Sequence, residues 1–259
     1  MKNNFDLKGK VALITGGNGG IGLGFAMGIA KAGGNVCIWG RNKEKNEEAI
    51  KILQATGSKV AAFVCDVSNE KNVKECFQST IEIFGRVDGC FANAGVIGND
   101  SSFIDRPFSE WKKLMSVNLD GVFLTLQVAA RHMVERAKKG DAFGRLVATS
   151  STASRMGAAR NEHYGASKSA VNGLSKALAV ELARYKITSN TILPGWVESE
   201  MTQKAVENTK FNEKVIFRVP LRRWGKTEEF QGIAAYLMSD ASNYHTGDEI
   251  LIDGGYTQF

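Results

Sequence analysis

The chain has 259 residues, of which 43% are hydrophobic and 23% are charged. These proportions fit a globular α/β domain and exclude a disordered or fibrous protein. The formal net charge is +6, but the basic residues are scattered, which argues against nucleic-acid binding. The polar start at Met1–Asp6 and the lack of a long apolar stretch predict neither a signal peptide nor a membrane span. We therefore expect a cytoplasmic protein.

Strand and helix patterns alternate along the whole chain. The predicted strands are Val11–Ile14, Val36–Trp39, Val60–Cys65, Val87–Phe91, Arg145–Thr149, Thr188–Leu193 and Glu249–Ile252. The predicted helices are Ile21–Ala32, Lys43–Gln54, Asn69–Phe84, Ser109–Glu135, Tyr164–Tyr185 and Thr227–Met238. This alternation predicts a Rossmann-type, doubly wound parallel sheet of about seven strands with helices on both faces. No linker or repeat divides the chain, so one domain, residues 1–259, is expected.

A glycine-rich loop follows the first predicted strand. Its glycines fit two spacings, G-x-G-x-x-G through Gly17, Gly19 and Gly22, or T-G-x-x-x-G-x-G through Gly16, Gly20 and Gly22. Either spacing lets the backbone approach a pyrophosphate at the start of the next helix. In this context, the first βαβ unit of an alternating chain, the loop predicts a dinucleotide site.

The end of the second strand indicates which dinucleotide binds. Rossmann proteins that prefer NAD carry an acidic residue about 20 residues beyond the glycine loop, but here Gly40 holds that position and Arg41 follows. A guanidinium pairs with a 2′-phosphate, which a carboxylate would repel. We therefore expect NADP(H), with NAD(H) as the alternative.

The cysteines carry no metal-binding spacing. Cys37, Cys65 and Cys90 lie in apolar runs and are expected to be buried thiols. No metal site is predicted.

A tyrosine and a lysine lie four residues apart in the sixth helical pattern. This spacing places Tyr164 and Lys168 on one helix face. An ammonium favours the phenolate and lowers the tyrosine pKa, which suits acid/base chemistry. Ser150 and Ser151 follow a strand that ends at the same edge of the sheet, where a serine hydroxyl can bind a substrate oxygen.

Neighbouring ionisable residues are not assigned to catalysis. His163 precedes the tyrosine, but consecutive helical residues point about 100° apart, so it is interpreted as a helix-start histidine. Asp105, Glu110 and Glu162 are expected on the solvated surface. The loop-like stretch from Pro194 to Pro220 is predicted to form a lid, at about residues 195–220.

Taken together, the motifs resemble the short-chain dehydrogenase/reductase family, and the resemblance covers essentially the whole chain. The matching segments are Thr15–Gly22, Ala92–Gly95 for N-N-A-G, Tyr164–Lys168 for Y-x-x-x-K, Pro194–Ser199 for P-G-x-V-x-T, and Asp253–Gly255 for D-G-G. Two positions depart from the pattern, because Ala92 replaces an asparagine and Ser199 replaces a threonine.

The resemblance implies a mechanism and a set of site residues. Tyr164 would pass a proton to the carbonyl oxygen, Ser151 would orient that oxygen, and Lys168 would lower the tyrosine pKa and bind the nicotinamide ribose. Asn118 would hold a water that links Lys168 to solvent. The implied cofactor contacts are Thr15, Gly16, Asn18, Gly20, Ile21, Gly22, Arg41, Asp66, Val67, Asn93, Ala94, Gly95, Tyr164, Lys168, Pro194, Gly195, Val197 and Ser199.

The resemblance also implies a homo-oligomer, a tetramer or a dimer. Its interface would use the long helices at Leu114–Met133 and Val171–Leu182, which carry apolar and small residues on more than one face.

Three functions are compatible with these residues. The first is an NADP(H)-preferring oxidoreductase acting on a carbonyl or secondary alcohol of a sugar, polyol, cyclic alcohol or other small ketone. The second is a 3-oxoacyl-thioester reductase, whose acidic carrier protein would dock on Lys138, Lys139, Arg184 and Lys186. The third is a non-catalytic cofactor sensor. The presence of Ser151, Tyr164, Lys168 and Asn118 argues against it, because a sensor does not need all four.

Overall fold

In the computed structural model, which describes residues 3–258, seven strands form one parallel sheet. They are β1 (Val11–Thr15), β2 (Asn35–Gly40), β3 (Val60–Val64), β4 (Gly89–Ala92), β5 (Gly144–Thr149), β6 (Ile187–Pro194) and β7 (Glu249–Ile252). Their order is β3-β2-β1-β4-β5-β6-β7. The predicted strands and the Rossmann-type sheet are confirmed, with strand ends shifted by at most two residues. Residues 1, 2 and 259 of the predicted domain lie outside the described residues.

Nine α-helices accompany the sheet within residues 3–258. They are α1 (Gly20–Lys31), α2 (Lys43–Gln54), α3 (Glu70–Phe84), α4 (Phe108–Met115), α5 (Gly121–Lys138), α6 (Glu162–Leu182), α7 (Gln203–Glu207), α8 (Thr209–Arg218) and α9 (Gln231–Met238). One apolar core joins the sheet to α1, α2 and α9, and a second core joins it to α3, α5 and α6. Every residue of β1, β4, β5 and β6 is buried, as expected for strands covered on both faces.

The predicted helix over Ser109–Glu135 is confirmed as one continuous helical run, in which a π-helical turn at Ser116–Asp120 separates α4 from α5. This turn contains Asn118, which is fully buried. Its side chain accepts a hydrogen bond from Val96 N and donates one to Val96 O, both at 2.8 Å. The amide is thus held by the loop after β4, and π-turns of this kind are frequent at functional sites.

The stretch from Pro194 to Pro220 is not loop-like, because it contains α7 and α8. Val215 and Val219 pack with Trp224 in a small third core. The Asn208 side chain caps α8 by accepting a hydrogen bond from Phe211 N at 3.1 Å. The lid role of this segment remains a prediction.

The buried thiols predicted from the apolar runs are confirmed. Cys37, Cys65 and Cys90 are free and buried, as is Cys76. No helix within residues 3–258 has both the length and the apolar character needed to cross a membrane.

A buried aspartate ties the amino ends of β1 and β4 together. Asp88, which has no exposed surface, accepts hydrogen bonds from Val11 N at 2.9 Å, Arg86 Nε at 2.9 Å and Arg136 Nη2 at 2.9 Å. A buried carboxylate needs such donors to offset its desolvation. The two arginines in turn need its negative charge, and the Val11 amide needs an acceptor.

We predict that Asp88→Ala lowers the free energy of unfolding by about 3–5 kcal/mol, because it removes the buried carboxylate that Arg86, Arg136 and the Val11 amide share. The two arginines then keep only the half-exposed Asp141 as a counter-charge. Urea denaturation measures the loss. The control is Glu47→Ala, which removes an exposed pair with Lys43 at 3.9 Å and should change stability little. Equal losses in the two variants would contradict this interpretation.

Candidate active site

A cleft of about 500 Å³ opens at the carboxyl ends of the strands, where open α/β sheets bind their ligands. Most of the predicted cofactor residues line it. They are Gly16, Asn18, Gly20, Ile21, Arg41, Asp66, Val67, Asn93, Ala94, Gly95, Tyr164, Lys168, Pro194, Gly195, Val197 and Ser199.

Two predicted cofactor residues, Thr15 and Gly22, do not line the cleft. Thr15 is 1% exposed, and its Oγ1 accepts hydrogen bonds from Asn93 N and Ala94 N, both at 3.0 Å. A Cβ atom on Gly22 would lie 2.2 Å from Gly16 O. The threonine thus joins two loops, and the glycine allows the loop to fold against its helix, while their contact with a cofactor stays a prediction.

The backbone distinguishes the two glycine spacings. Gly16 and Gly20 have φ angles of 65° and 52°, a region that favours glycine. Gly19 is extended, and a Cβ atom there would meet nothing within 4 Å. The structure thus follows T-G-x-x-x-G-x-G, and α1 begins at Gly20 with its free amides facing the loop.

Gly40 lies beneath a pair of asparagine side chains. Asn18 Nδ2 donates to Asn46 Oδ1 at 2.7 Å, and Asn46 Nδ2 donates to Gly40 O at 3.0 Å. A Cβ atom on Gly40 would lie 2.2 Å from Asn18 Nδ2 and 2.4 Å from Asn46 Oδ1. A side chain at this position would therefore displace the Asn18 and Asn46 amides and break the hydrogen bond between them. Sequence reasoning missed Asn46, whose role depends on contacts with residues distant in the chain.

Charged groups surround the end of the cleft near Gly40. Hydrogen bonds from Ser68 lower the pKa of Asp66, and the positive charge of Arg41 lowers it further. Lys45, another lining residue, forms an ion pair with Glu200, which belongs to the turn after β6. This pair crosses the groove between α2 and that turn, and the sequence gives no sign of it.

Tyr164 and Ser151 face each other in the cleft wall. Burial raises the pKa of Tyr164, and the nearby Ser151 hydroxyl opposes part of that rise. The sequence predicts that Lys168 lowers the pKa of Tyr164, but this pKa is raised because desolvation of the phenolate dominates. Ser150, the neighbouring serine, uses its hydroxyl to donate to Lys168 O at 3.0 Å.

Lys168 is a buried cation, with 3% of its surface exposed. Its Nζ donates to Thr149 O at 2.7 Å and lies 5.5 Å from the centre of the Tyr164 ring. Burial lowers the pKa of Lys168 to about 8. The ammonium is thus the prevailing form at neutral pH and is held beside the tyrosine.

Asn118 lies behind the lysine rather than in the cleft wall. Its side chain forms one donated and one accepted hydrogen bond with Val96, and the water link to Lys168 stays a prediction. A Cβ atom on Gly95 would lie 3.3 Å from Asn118 Oδ1 and 3.6 Å from Lys168 Nζ. Gly95 therefore keeps the space between these two groups open.

The other end of the cleft is largely apolar. Its lining residues include Val96, Ala153, Met156, Ala158, Trp196 and Met201. Trp196 meets Phe211, Trp224 and Tyr256 edge to face, with ring centres 5.3, 5.4 and 6.2 Å apart. This packing fixes the tryptophan at the wall of the cleft. Tyr256 and Arg218 also line this end, and sequence reasoning missed both.

Glu110 and Glu162 are partly exposed, at 34% and 35% of their side chains, and both also flank Arg106, at 3.5 Å and 3.7 Å. Only 4% of the Arg106 side chain is exposed. His163 begins the helix as predicted but is buried, with Nε2 at 3.1 Å from Arg106 Nη1. Asp105 is exposed, as expected.

Comparison with known proteins matches the chain over nearly its full length. A family model described as enoyl-(acyl carrier protein) reductase matches residues 16–257. Sorbose reductase of Schizosaccharomyces pombe is 37% identical over 260 residues, covering 99% of each chain. A 3-oxoacyl-[acyl-carrier-protein] reductase of Thermotoga maritima is 34% identical, covering 96% of this chain and 98% of the relative.

A solved structure gives the same picture. A gluconate 5-dehydrogenase from Burkholderia cenocepacia, in complex with NADP and tartrate, superposes with a TM-score of 0.90 at 34% identity. The match covers 99% of this chain and 98% of that one.

We predict that Gly22→Ala weakens NADP(H) binding at least about tenfold, because its Cβ atom would displace the Gly16 carbonyl in a tightly packed loop. Fluorescence titration with NADPH measures the dissociation constant. Gly19→Ala is the matched control, since its Cβ atom enters open space, and it should bind within about threefold of the wild type. A dissociation constant for Gly22→Ala equal to that of Gly19→Ala would count against this view of the loop.

Proposed function

Because this chain belongs to the short-chain dehydrogenase/reductase family, we propose that it reduces a carbonyl of a sugar, polyol or related small molecule, or oxidises the matching secondary alcohol, with NADP(H). The observation that carries the proposal is the meeting of Ser151, Tyr164 and Lys168 in one cleft with the glycine loop.

The cleft fits a dinucleotide on its own residues. Gly16 and Gly20 leave the backbone free of side chains where the loop enters α1, and a helix start of this kind favours a pyrophosphate. Lys168 offers an ammonium with donors left for a ribose hydroxyl beyond its bond to Thr149. When bound, the nicotinamide ring supplies or accepts the hydride.

The protein groups handle the proton. The raised pKa of Tyr164 keeps its phenol protonated at neutral pH, so it can donate to a carbonyl oxygen as the alcohol forms. Ser151 donates a hydrogen bond to the same oxygen and stabilises its developing charge. The Lys168 ammonium, 5.5 Å from the ring, stabilises the phenolate that remains. Oxidation reverses these steps.

The preference for NADP(H) rests on the end of β2. Gly40 provides no side chain to accept from a ribose 2′-hydroxyl, and the Asn18 and Asn46 amides fill the space beside it. Arg41 places a guanidinium at the same end of the cleft, which suits a 2′-phosphate, and Lys45, paired with Glu200, lies at that end too. The NADP complex of the gluconate 5-dehydrogenase supports this choice.

A small polyhydroxylated substrate suits the comparisons better than an acyl thioester. Sorbose reductase and gluconate 5-dehydrogenase, by their names, act on such molecules, although a 3-oxoacyl reductase is also similar. The basic residues expected to dock a carrier protein, Lys138, Lys139, Arg184 and Lys186, lie near the carboxyl end of α5 and the amino end of β6. That edge of the sheet is opposite the cleft. The sensor hypothesis loses support, because the relatives are enzymes and the catalytic side chains meet.

We also propose a homo-oligomer built on α5 and α6. The apolar groove between these helices is lined by Phe123, Leu126, Ala130, Val134, Leu174 and Leu178. Val180 is 82% exposed on α6, and oligomer formation would cover this surface. The proposed location is the cytoplasm, which is consistent with four free thiols. Residues 195–220 are proposed to form a lid.

Tyr164→Phe should lower kcat for carbonyl reduction about 10²–10⁴-fold, because the proton donor is lost while the ring remains. Steady-state assays on a panel of ketoses with NADPH measure this loss. The dissociation constant for NADPH serves as the control and should change little. Substantial turnover by the variant with bound cofactor would refute the mechanism.

Arg41→Asp should shift the ratio of kcat/KM for NADPH over NADH about 10–100-fold toward NADH, since a cation is exchanged for a repelling carboxylate. Gly40→Asp is the informative partner variant. It should weaken binding of both cofactors, because the new side chain displaces Asn18 and Asn46. An unchanged ratio in Arg41→Asp, or a clean switch to NADH in Gly40→Asp, would contradict the account.

A further inference from the structure

Arg106 is a buried arginine that joins two loops beside the cleft. It precedes α4, and 4% of its side chain is exposed. Its Nη2 donates to Ser101 O at 2.7 Å and to Arg160 O at 2.6 Å, and its Nη1 donates to Asn99 Oδ1 at 2.9 Å. Asn99 and Ser101 belong to the loop after β4, whereas Arg160 belongs to the loop that leads into α6. One guanidinium therefore connects both loops.

The same guanidinium contacts the first turn of α6. Its Nη1 lies 3.1 Å from His163 Nε2, and a guanidinium can only donate. His163 Nε2 must therefore accept, which places the ring proton on Nδ1 and makes the imidazole neutral. Burial and the charge of Arg106 both lower the pKa of His163, while Glu162 and Glu110 oppose them.

The backbone at Arg160 is held in an unusual conformation. Its φ angle is 65°, a region that costs free energy for residues other than glycine. This geometry presents Arg160 O to Arg106, while Arg160 N donates to Glu162 Oε1 at 2.8 Å. Strained backbone of this kind persists where the surrounding contacts fix it, and it clusters at functional sites.

Buried polar atoms without a hydrogen-bond partner are concentrated at this place. Five of the seven such side-chain atoms found in residues 3–258 belong to residues around this guanidinium, namely Arg106 Nε, Glu110 Oε2, Asn161 Oδ1, Glu162 Oε2 and His163 Nδ1. Glu110 Oε2 and Glu162 Oε2 remain in ion pairs with the guanidinium, at 3.5 and 3.7 Å, so the cost to stability falls on Arg106 Nε, Asn161 Oδ1 and His163 Nδ1. Such a concentration of unsatisfied polar atoms calls for an explanation.

The two connected loops form the apolar end of the cleft. Val96 and Ile97 come from the loop after β4, and Gly157, Ala158 and Asn161 come from the loop before α6. The Arg106 guanidinium also contacts His163, the residue before Tyr164. Whatever sets the separation of these loops therefore sets the width of the pocket and the position of the phenol.

We propose that Arg106 is a positioning residue for the reaction, which fixes the substrate-facing loops and the start of α6 relative to each other. This inference rests on the proposed function, because it concerns the same cleft. The guanidinium acts through Tyr164 and the pocket wall and does not line the cleft itself.

Arg106→Lys tests the proposal. A lysine keeps the positive charge but cannot reach the Ser101, Asn99, Arg160 and His163 acceptors together, since it lacks the planar fork. We expect kcat for carbonyl reduction to fall about 10–100-fold, as for a misplaced catalytic group, and KM for the carbonyl substrate to rise. The dissociation constant for NADPH should stay within about twofold, because the glycine loop is remote.

Arg136→Lys is the matched control. Arg136 is also mostly buried, at 12% exposed, and also joins separate segments, but it binds Val87 O, Asp88 and Asp141 at the opposite edge of the sheet. It should lose thermal stability without losing kcat or raising KM. Kinetic parameters that respond alike in the two variants would overturn the proposal.

A second pair of variants applies even if Arg106→Lys folds poorly. His163→Gln retains an acceptor for Arg106 and should keep kcat and KM near wild type, whereas His163→Leu should reproduce the Arg106→Lys defect. Because glutamine does not titrate, His163→Gln should also hold its activity at acidic pH where the wild type loses it. Equal activity of the leucine and glutamine variants would contradict the proposal. Absence of wild-type turnover on a ketose panel would instead overturn the proposed function, and this inference with it.

Discussion

The buried ammonium of Lys168 is the interaction on which the rest of the site depends. Removing a cation from water is costly, and no carboxylate in residues 3–258 lies within ion-pair distance of it. Its one carbonyl partner, Thr149 O, is supplied by the last residue of β5. This desolvation lowers the pKa of Lys168 to about 8. A group kept charged under such conditions needs a rigid frame around it, which the end of the sheet, the turn at Ser116–Asp120 and α6 provide.

Each half of the cleft is shaped by side chains that do not face a ligand. In the nucleotide half, Asn46 binds Asn18 of the glycine loop, and the two amides fill the space beside Gly40. In the substrate half, Arg106 connects the loops whose other residues form the wall. Cofactor choice and substrate geometry therefore depend on buried polar residues, because only these join segments that are far apart in the chain.

Much of the fold could be predicted from the sequence because its signals are local. Alternating apolar runs and helical periods placed every strand within two residues, and the spacing of Tyr164 and Lys168 placed both on one helix face. The turn at Ser116–Asp120 could not be predicted, since it depends on a contact between Asn118 and Val96. One local feature of the sequence indicated a helix within residues 194–220, namely Asn208, which caps α8. The ion cluster at Arg106 had none, because its partners converge only in the folded chain.

The most direct test of the account follows the hydride itself. The protein is incubated with NADPH deuterated at nicotinamide C4 and a panel of ketoses and keto acids, and the products are analysed by mass spectrometry and NMR. The account predicts an alcohol that carries one deuterium on the former carbonyl carbon. Two results would contradict it. One is that no carbonyl compound of the panel is reduced, and the other is an alcohol without deuterium at that carbon from cofactor labelled on either face.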